Sequence, residues 1–533
     1  MKRRNKIYRY AALGFIIIYI GLLALLCVSE YSDSRATIRS FSDALWYSLV
    51  TLTTVGYGDL MPVTPLGHVV GGVFLLLSAG IMVTLFGAAL SFVTSEGFPL
   101  FLLGLQRKKN WYYFADYGAE ADTLARNIYK EDSDSVIIFG EKRDSQMELP
   151  EYPCLFVNVS PARIVACKKN TGTKCKVFLM KENDIGVNSR AADLHTLPVE
   201  VYARTTNGQD YLAGNIKFFH SYDCCARQYW RSKPLCSCEN TIVLIGFGNY
   251  GRCILERAIL TNIISVSQHV AYHIFGESEE FLAVHSHLNE VFSLGRESEE
   301  MDSLIFHEES WEIHHAVMEK ADRIIICSDD ESEGWKIFWR LHKYYKTRGH
   351  IHLRGNWKAS GISCFGTNEE IYTPDQIMRR TLNKAAVMIN EIFCRTVSYP
   401  TLSWERLDDF HRESKISAAD HLLTKVRIIL KDETITEFTP QVAEKAYHVY
   451  CENKKSEEMQ DMYRRLDHVR WLRFYTFYNW TYGVVRDDAA RQHPMLCPYA
   501  ELNLEQKRER DAAWELLGSI VKKWQSRGYG KWM

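Results

Sequence analysis

Net charge is what this 533-residue chain has least of: 64 basic side chains stand against 65 acidic ones, leaving −1. A dominant nucleic-acid-binding role, which shows as a basic excess, is excluded on that ground. No helix repeats arginines, so no voltage-sensing element is expected. EF-hand spacing is missing, and the densest cysteine group (Cys224, Cys225, Cys236 and Cys238) departs from the C-x2-C pairs of zinc sites, so no metal centre is expected there. No His/Asp or Ser/Lys constellation supports catalysis, and a non-enzyme is expected. Charge is also missing locally, from Tyr10 to Ser29 and again from Leu60 to Ser95.

Those two gaps change how the average composition reads. Residues 1–106 are 11% charged and the remainder 27%, so a mean hydropathy of −0.21 blends an apolar segment with a polar mass. A bilayer core needs about 20 apolar residues as helix. One span is expected at about 8–29 and a second at 66–95. A cleavable leader fits poorly, because the apolar run is long and no A-x-A site follows it. Lys2, Arg3, Arg4, Lys6 and Arg9 precede the first span, and Arg107, Lys108 and Lys109 follow the second. Basic residues stay on the cytoplasmic side, which places both termini inside a plasma (inner) membrane. Thirteen of the 14 cysteines lie beyond residue 150, in the part expected in a reducing compartment.

Between the spans runs FSDALWYSLVTLTTVGYGDLMP. A short helix is expected from about Ser42 to Thr53, capped by Ser40 or Ser42, with Asp43 at its positive end. The run Thr54, Val55, Gly56, Tyr57, Gly58 and Asp59 resembles the selectivity filter of potassium channels. Such a filter replaces the hydration shell of K+ with backbone carbonyls, and Gly56 and Gly58 supply backbone angles that a Cβ resists. One chain supplies one filter strand, so the resemblance implies a homotetramer with K+ in its filter. In the second span, Ser78, Gly80 and Gly87 are candidates for a gating hinge, or small residues that permit close helix packing. Pro99 is expected to break the helix within a linker at 96–106.

Beyond the basic patch the pattern alternates short apolar runs with amphipathic helices, as in α/β folds. In TIVLIGFGNYGRCILERAIL a strand leads into Gly246, Phe247, Gly248, Asn249, Tyr250 and Gly251 and then a helix. That is the context of a dinucleotide turn, with pyrophosphate at a helix N-terminus. Glu277 follows the next strand, where an acid holds a ribose hydroxyl, and Asp329 follows a third. An earlier copy, NWYYFADYGAEADTLARNI, has Asp116, Gly118 and Ala121 at the glycine positions, which favours a structural role over phosphate binding. The acidic runs at Asp329, Asp330, Glu331 and Glu333, and at Glu277, Glu279 and Glu280, are read either as a Ca2+ site or as solvated loops.

A pore followed by two Rossmann-like units resembles the double RCK (regulator of K+ conductance) channels, over about residues 40–395. The resemblance implies a ring of such units that opens the pore when a ligand binds, with NAD(H) or an adenine nucleotide as regulator and Ca2+ as the alternative. A second alternative is a membrane-anchored nucleotide sensor or enzyme with a vestigial pore. From about Ser398 the chain turns helical and aromatic. There His468, Arg470, Trp471, Trp480, Tyr482, Gly483, Arg486, His493, Pro494, Pro498 and Tyr499 carry a pattern that resembles the ryanodine-receptor (RyR) repeat. Of these, His468, Arg470, Trp471, Trp480, Tyr482, Arg486, His493 and Tyr499 are candidates for a ligand pocket that stacks a base and pairs a phosphate, or for a helical core. The expected domains are 1–106, 107–238, 239–397 and 398–533: a helical pore, two α/β Rossmann-like units and a mainly α-helical module. The expected partners are the lipid membrane, further copies of the chain and a small nucleotide ligand, with no nucleic acid.

Overall fold

The computed structural model describes residues 2–94, 97–140, 150–168, 174–181, 191, 193–195, 197–206, 215–294, 301–347, 349–358, 362–396 and 401–527. The chain divides into two compact units, Met1–Gln106 and Arg107–Met533.

The regular structure of the first unit is helical: Lys2–Glu30, Phe41–Leu52, Pro65–Thr94 and Gly97–Leu105. Its small core joins Leu23, Leu26, Ile38, Ala44, Val70 and Phe74. Most other apolar side chains face outward, including Ile17, Ile18, Val69, Leu76, Val83 and Phe86. So large an apolar exterior suits lipid or further copies better than water. Among the described residues, Pro65–Val93 is the one helix long and apolar enough to cross a membrane, while Ile16–Glu30 is a shorter apolar run. The long helix Pro65–Thr94 ends ahead of Pro99. Pro99 itself lies in the first turn of Gly97–Leu105, where its missing N–H has no intrahelical partner to lose.

The second unit contains two parallel sheets. The first comprises β1 (Trp111–Phe114), β2 (Val136–Phe139), β3 (Cys154–Phe156), β4 (Cys175–Leu179), β5 (Glu200–Arg204) and β6 (Ile216–Phe219), in the order β3-β2-β1-β4-β5-β6. The second comprises β7 (Thr241–Ile245), β8 (Ala271–Phe275), β9 (Ser293–Leu294), β10 (Ser303–His307), β11 (Arg323–Ile326), β12 (His350–Arg354) and β13 (Ile362–Phe365), in the order β13-β12-β11-β7-β8-β10-β9. With the edge strand β9 set aside, both sheets have the same doubly wound order, with a switch point beside the first strand. Strands such as VIIF and RIII are buried at every position, as a sheet covered on both faces requires.

The sheets are not independent. Helix Ser221–Ser232, which follows β6, packs on helix Asn249–Thr261, which follows β7, and Trp230 Nε1 donates to the Ile254 carbonyl at 2.8 Å. One apolar core runs from Phe114 and Phe139 through Ile242 and Leu244 to Phe474 and Phe477 of the C-terminal helices. Farther along, Asn127 Nδ2 donates to the Tyr372 carbonyl at 3.0 Å, so the segment after β13 reaches back to the first sheet. The C-terminal helices Asp409–Asp420, Leu422–Leu430, Pro440–Asn453, Glu457–Phe477 and Asp511–Arg527 enclose a second core around Val426, Tyr450, Trp514 and Ile520.

Candidate functional site

Three places contain the residues singled out by the sequence. The first follows helix Phe41–Leu52. Ser40 accepts from the Asp43 amide, and the Asp43 carboxylate accepts in return from the Ser40 amide, closing a capping box. At the other end the backbone turns sharply: the Val55 amide donates to the Val50 carbonyl at 3.1 Å. Thr54, Gly56 and Gly58 then have φ of +58°, +57° and +75°, with no positive φ at Val55 or Tyr57 between them. Glycine takes such angles at little cost, whereas Thr54 stores strain of about 1–3 kcal/mol. Trp46 fixes the outer end of this segment. Its ring lies parallel to Tyr57, with centroids 6.2 Å apart, and its Nε1 donates to Asp59 at 3.0 Å. Sequence reasoning missed Trp46, although its place one helical face ahead of Tyr57 was a usable signal. The buried Glu30 holds the exit from the segment by accepting from the Val63 and Thr64 amides.

In the Pro65–Thr94 helix, Gly80 and Gly87 have open space where a Cβ would stand, and the helix continues through both. Thr84 donates its hydroxyl to the Gly80 carbonyl at 2.7 Å, the kind of back-bond that eases helix bending. The side chain of Ser78 lies outside the described residues.

The second place is the turn after β7. Gly246 has φ +92°, and a Cβ there would come within 2.9 Å of the Ser328 amide. Gly251 packs against the Gly246 carbonyl so closely that a Cβ has no room. Helix Asn249–Thr261 begins here, as the fingerprint expects. Its first amides are already engaged by Asp329. That carboxylate accepts from the Asn249 amide at 3.0 Å and the Tyr250 amide at 3.1 Å. Arg354 holds the loop in place by donating to the carbonyls of Ser328 and Asp329. Asp329 therefore stands where a phosphate would stand rather than beside one. Phe247 is buried against Phe281 and Phe306, Tyr250 lies beneath the Arg354 guanidinium, and Glu277 is exposed at the end of β8.

Most carboxylates of the acidic runs read as a Ca2+ site are spent on local structure. Asp330 caps helix Glu331–Tyr344, Glu331 pairs with Arg354, Glu333 with Lys336, and Glu280 with Arg252. Among the described residues no three His, Cys, Asp or Glu side chains converge as metal ligands, and Cys224, Cys225, Cys236 and Cys238 are all free thiols.

The third place is the C-terminal module. Arg470 pairs with the buried Asp467, His468 donates to the Cys497 carbonyl, and Tyr499 donates to Asp461. Trp471 packs on Tyr475 and His493, with the Arg510 guanidinium over its ring. Burial beside Arg486 and Arg510 pushes the His493 imidazole down to about 4. Tyr482 is exposed in a two-residue strand. Apart from Tyr482, these residues pack into the module rather than around one pocket. Trp480 and Arg486 differ: both line a cavity of about 940 Å3 that the C-terminal module shares with residues of both Rossmann-like units.

Comparison with known proteins agrees with this division. Residues 10–95 match the family model described as "Ion channel", and residues 438–526 match the "RyR domain" model. The chain is thus multidomain, an ion-channel domain and an RyR domain flanking two Rossmann-like α/β units. Among similar proteins, a voltage-gated potassium channel of Aeropyrum pernix is 40% identical over 85 residues, 16% of this chain and 28% of that protein. The calcium-gated potassium channel TvoK of Thermoplasma volcanium is 24% identical over 140 residues, 25% of this chain and 38% of that protein. The chain thus spans well under half the length of these relatives. The GsuK channel aligns with a TM-score of 0.41 at 13% identity, covering 69% of this chain and 98% of that one. GsuK bound to NAD aligns with a TM-score of 0.40 at 10% identity, covering 70% and 84%.

Proposed function

We propose that this chain is one subunit of a homotetrameric K+-selective channel in the plasma membrane, crossing it twice with both termini inside, and gated by a nucleotide bound to its large second unit. The observation that carries the reading is the segment Thr54–Asp59: positive φ at alternate residues, a capped helix before it and Trp46 clamping its outer end. Carbonyls stacked in this way replace the hydration shell of a monovalent cation, and four strands are needed to surround one. The apolar exterior of the first unit would then face lipid and neighbouring subunits. Full-length protein reconstituted in liposomes should conduct K+ in large preference to Na+, and comparable Na+ flux would overturn the assignment.

A nucleotide in the crevice beside Gly246 has to displace the Asp329 carboxylate or sit beyond it. Glu277 is the acceptor for its ribose there, so Glu277→Ala should weaken any nucleotide held in that crevice. An unchanged nucleotide response in that variant removes the crevice from the reading.

A further inference from the structure

We infer that the cavity between helix Asn249–Thr261 and the C-terminal module, which reaches the glycine motif only at Asn249, is a binding site for a nucleoside phosphate. Its volume of about 940 Å3 suits a small-molecule site, which runs to about 1,000 Å3. The inference rests on the gated-channel reading only for its effect on flux.

Unspent donors lie at the base of the cavity. Arg257 is almost fully buried; its Nε donates to Asp223 and its Nη2 to Glu413, while Nη1 has no partner among the described residues. One turn earlier on the same helix, Arg252 Nε is likewise buried without an acceptor. A buried guanidinium N–H left without an acceptor is costly, and an acceptor on a ligand would recover that cost. Between them Glu256 has no hydrogen bond among the described residues. Burial pushes its carboxyl up to about 7, Arg257 draws it down, and Asp223 and Glu413 raise it further, so near neutrality it also offers a proton. Asn479 Oδ1 is a buried acceptor without a partner in the same lining, but the unpartnered guanidinium donors outnumber it, and an acceptor-rich group such as a phosphate fits them.

The walls are aromatic. Phe410 lies on Trp480 with ring centroids 5.3 Å apart and planes at 23°, and Tyr478 meets Phe410 edge-on. Opposite, His285 stacks on Phe477 at 3.8 Å. A flat base between such faces adds stacking to burial. At the rim, Arg252 pairs with Glu280 and Arg486 with Asp488, in exposed pairs. Such pairs are worth little, so a phosphate entering the rim exchanges one carboxylate partner for a charge-assisted one at small cost.

The test is equilibrium binding of ADP, adenosine and inorganic phosphate to the detergent-solubilised full-length protein, with thermal shift as a second readout. ADP should bind and raise the melting temperature, adenosine should bind more weakly, and phosphate alone should leave it unchanged. Arg252→Glu combined with Arg486→Glu should weaken ADP by roughly tenfold or more, while Lys336→Ala, in an exposed pair outside the cavity, should leave ADP affinity as it was. Unchanged ADP affinity in the double variant would overturn the site, as would an equal loss in Lys336→Ala. Failure of all three probes to bind would overturn the ligand class. Binding that behaves as expected in a protein that passes no K+ would strike the channel reading and leave this one standing.

Discussion

The two Rossmann-like sheets have the same strand order, yet they close their switch points from opposite sides. In the first, Asp116 in the turn after β1 accepts across the sheet from the Lys181 amide, just past β4. In the second, Asp329 past β11 accepts from the amides that open the helix after β7. Each unit thus joins the same pair of strand ends with its own carboxylate, but only the second directs that carboxylate at a helix N-terminus. The glycines follow the same division. Where the backbone bends close to Ser328 and its own carbonyl, Gly246 and Gly251 are required; Asp116 and Ala121 serve where it does not. A glycine fingerprint is therefore evidence of tight turn geometry before it is evidence of a ligand.

Substitutions can break that comparison. The largest effect is expected from Gly251→Ala, whose methyl group would overlap the Gly246 carbonyl. Overpacking of this kind costs about 3 kcal/mol, whereas the reciprocal Ala121→Gly loses only about 1 kcal/mol of helix propensity. Melting temperatures of the two variants should separate accordingly. Next, Asp329→Asn should cost about 1 kcal/mol through the weakened cap, and added phosphate should restore its melting temperature more than the parent's. Asp116→Asn should show no such response to phosphate, because its carboxylate does not face the first helix amides.

Glu256 sharpens the contrast, because the first unit has the half-buried Arg126 ten residues past the start of its motif, where the second has Glu256. A carboxyl lifted from 4.5 to about 7 holds its proton in the folded state after the unfolded chain has released it. Its contribution is present below about pH 4.5, is lost as pH rises towards 7, and is constant above that. Glu256→Gln should flatten that part of the stability profile measured by denaturant titration. The smallest change is expected from Arg379→Ala, which removes a half-exposed pair with Glu131 at 2.8 Å between the two sheets. Pairs of this kind are worth at most about 1 kcal/mol, so the melting temperature should barely move.

Most of the architecture could be read from the chain. The helix ahead of Thr54, the strand before Gly246 and the helix after it, and the earlier copy at Asp116 all depend on patterns within about 20 residues, the range over which periodicity and turn chemistry act. The site was less legible, because its partners lie far apart in sequence. Asp329 reaches Asn249 across 80 residues and Arg257 reaches Glu413 across 156, and no local pattern encodes either approach. The RyR-like residues were misleading for the opposite reason. Their aromatic and basic character, which suits a pocket, serves equally to build a core, and Trp471, His468 and Arg470 are used in that way. Trp480 and Arg486 line the cavity as well.

The shared core of the second unit also bears on inheritance. Because Trp230 donates into the helix after β7 and Asn127 binds the carbonyl of Tyr372, a crossover between two related genes near codon 238 would give each daughter half of a packed surface. Recombination should therefore transmit residues 107–533 as one block, and the segment between the two sheets should be a poor place to exchange parts.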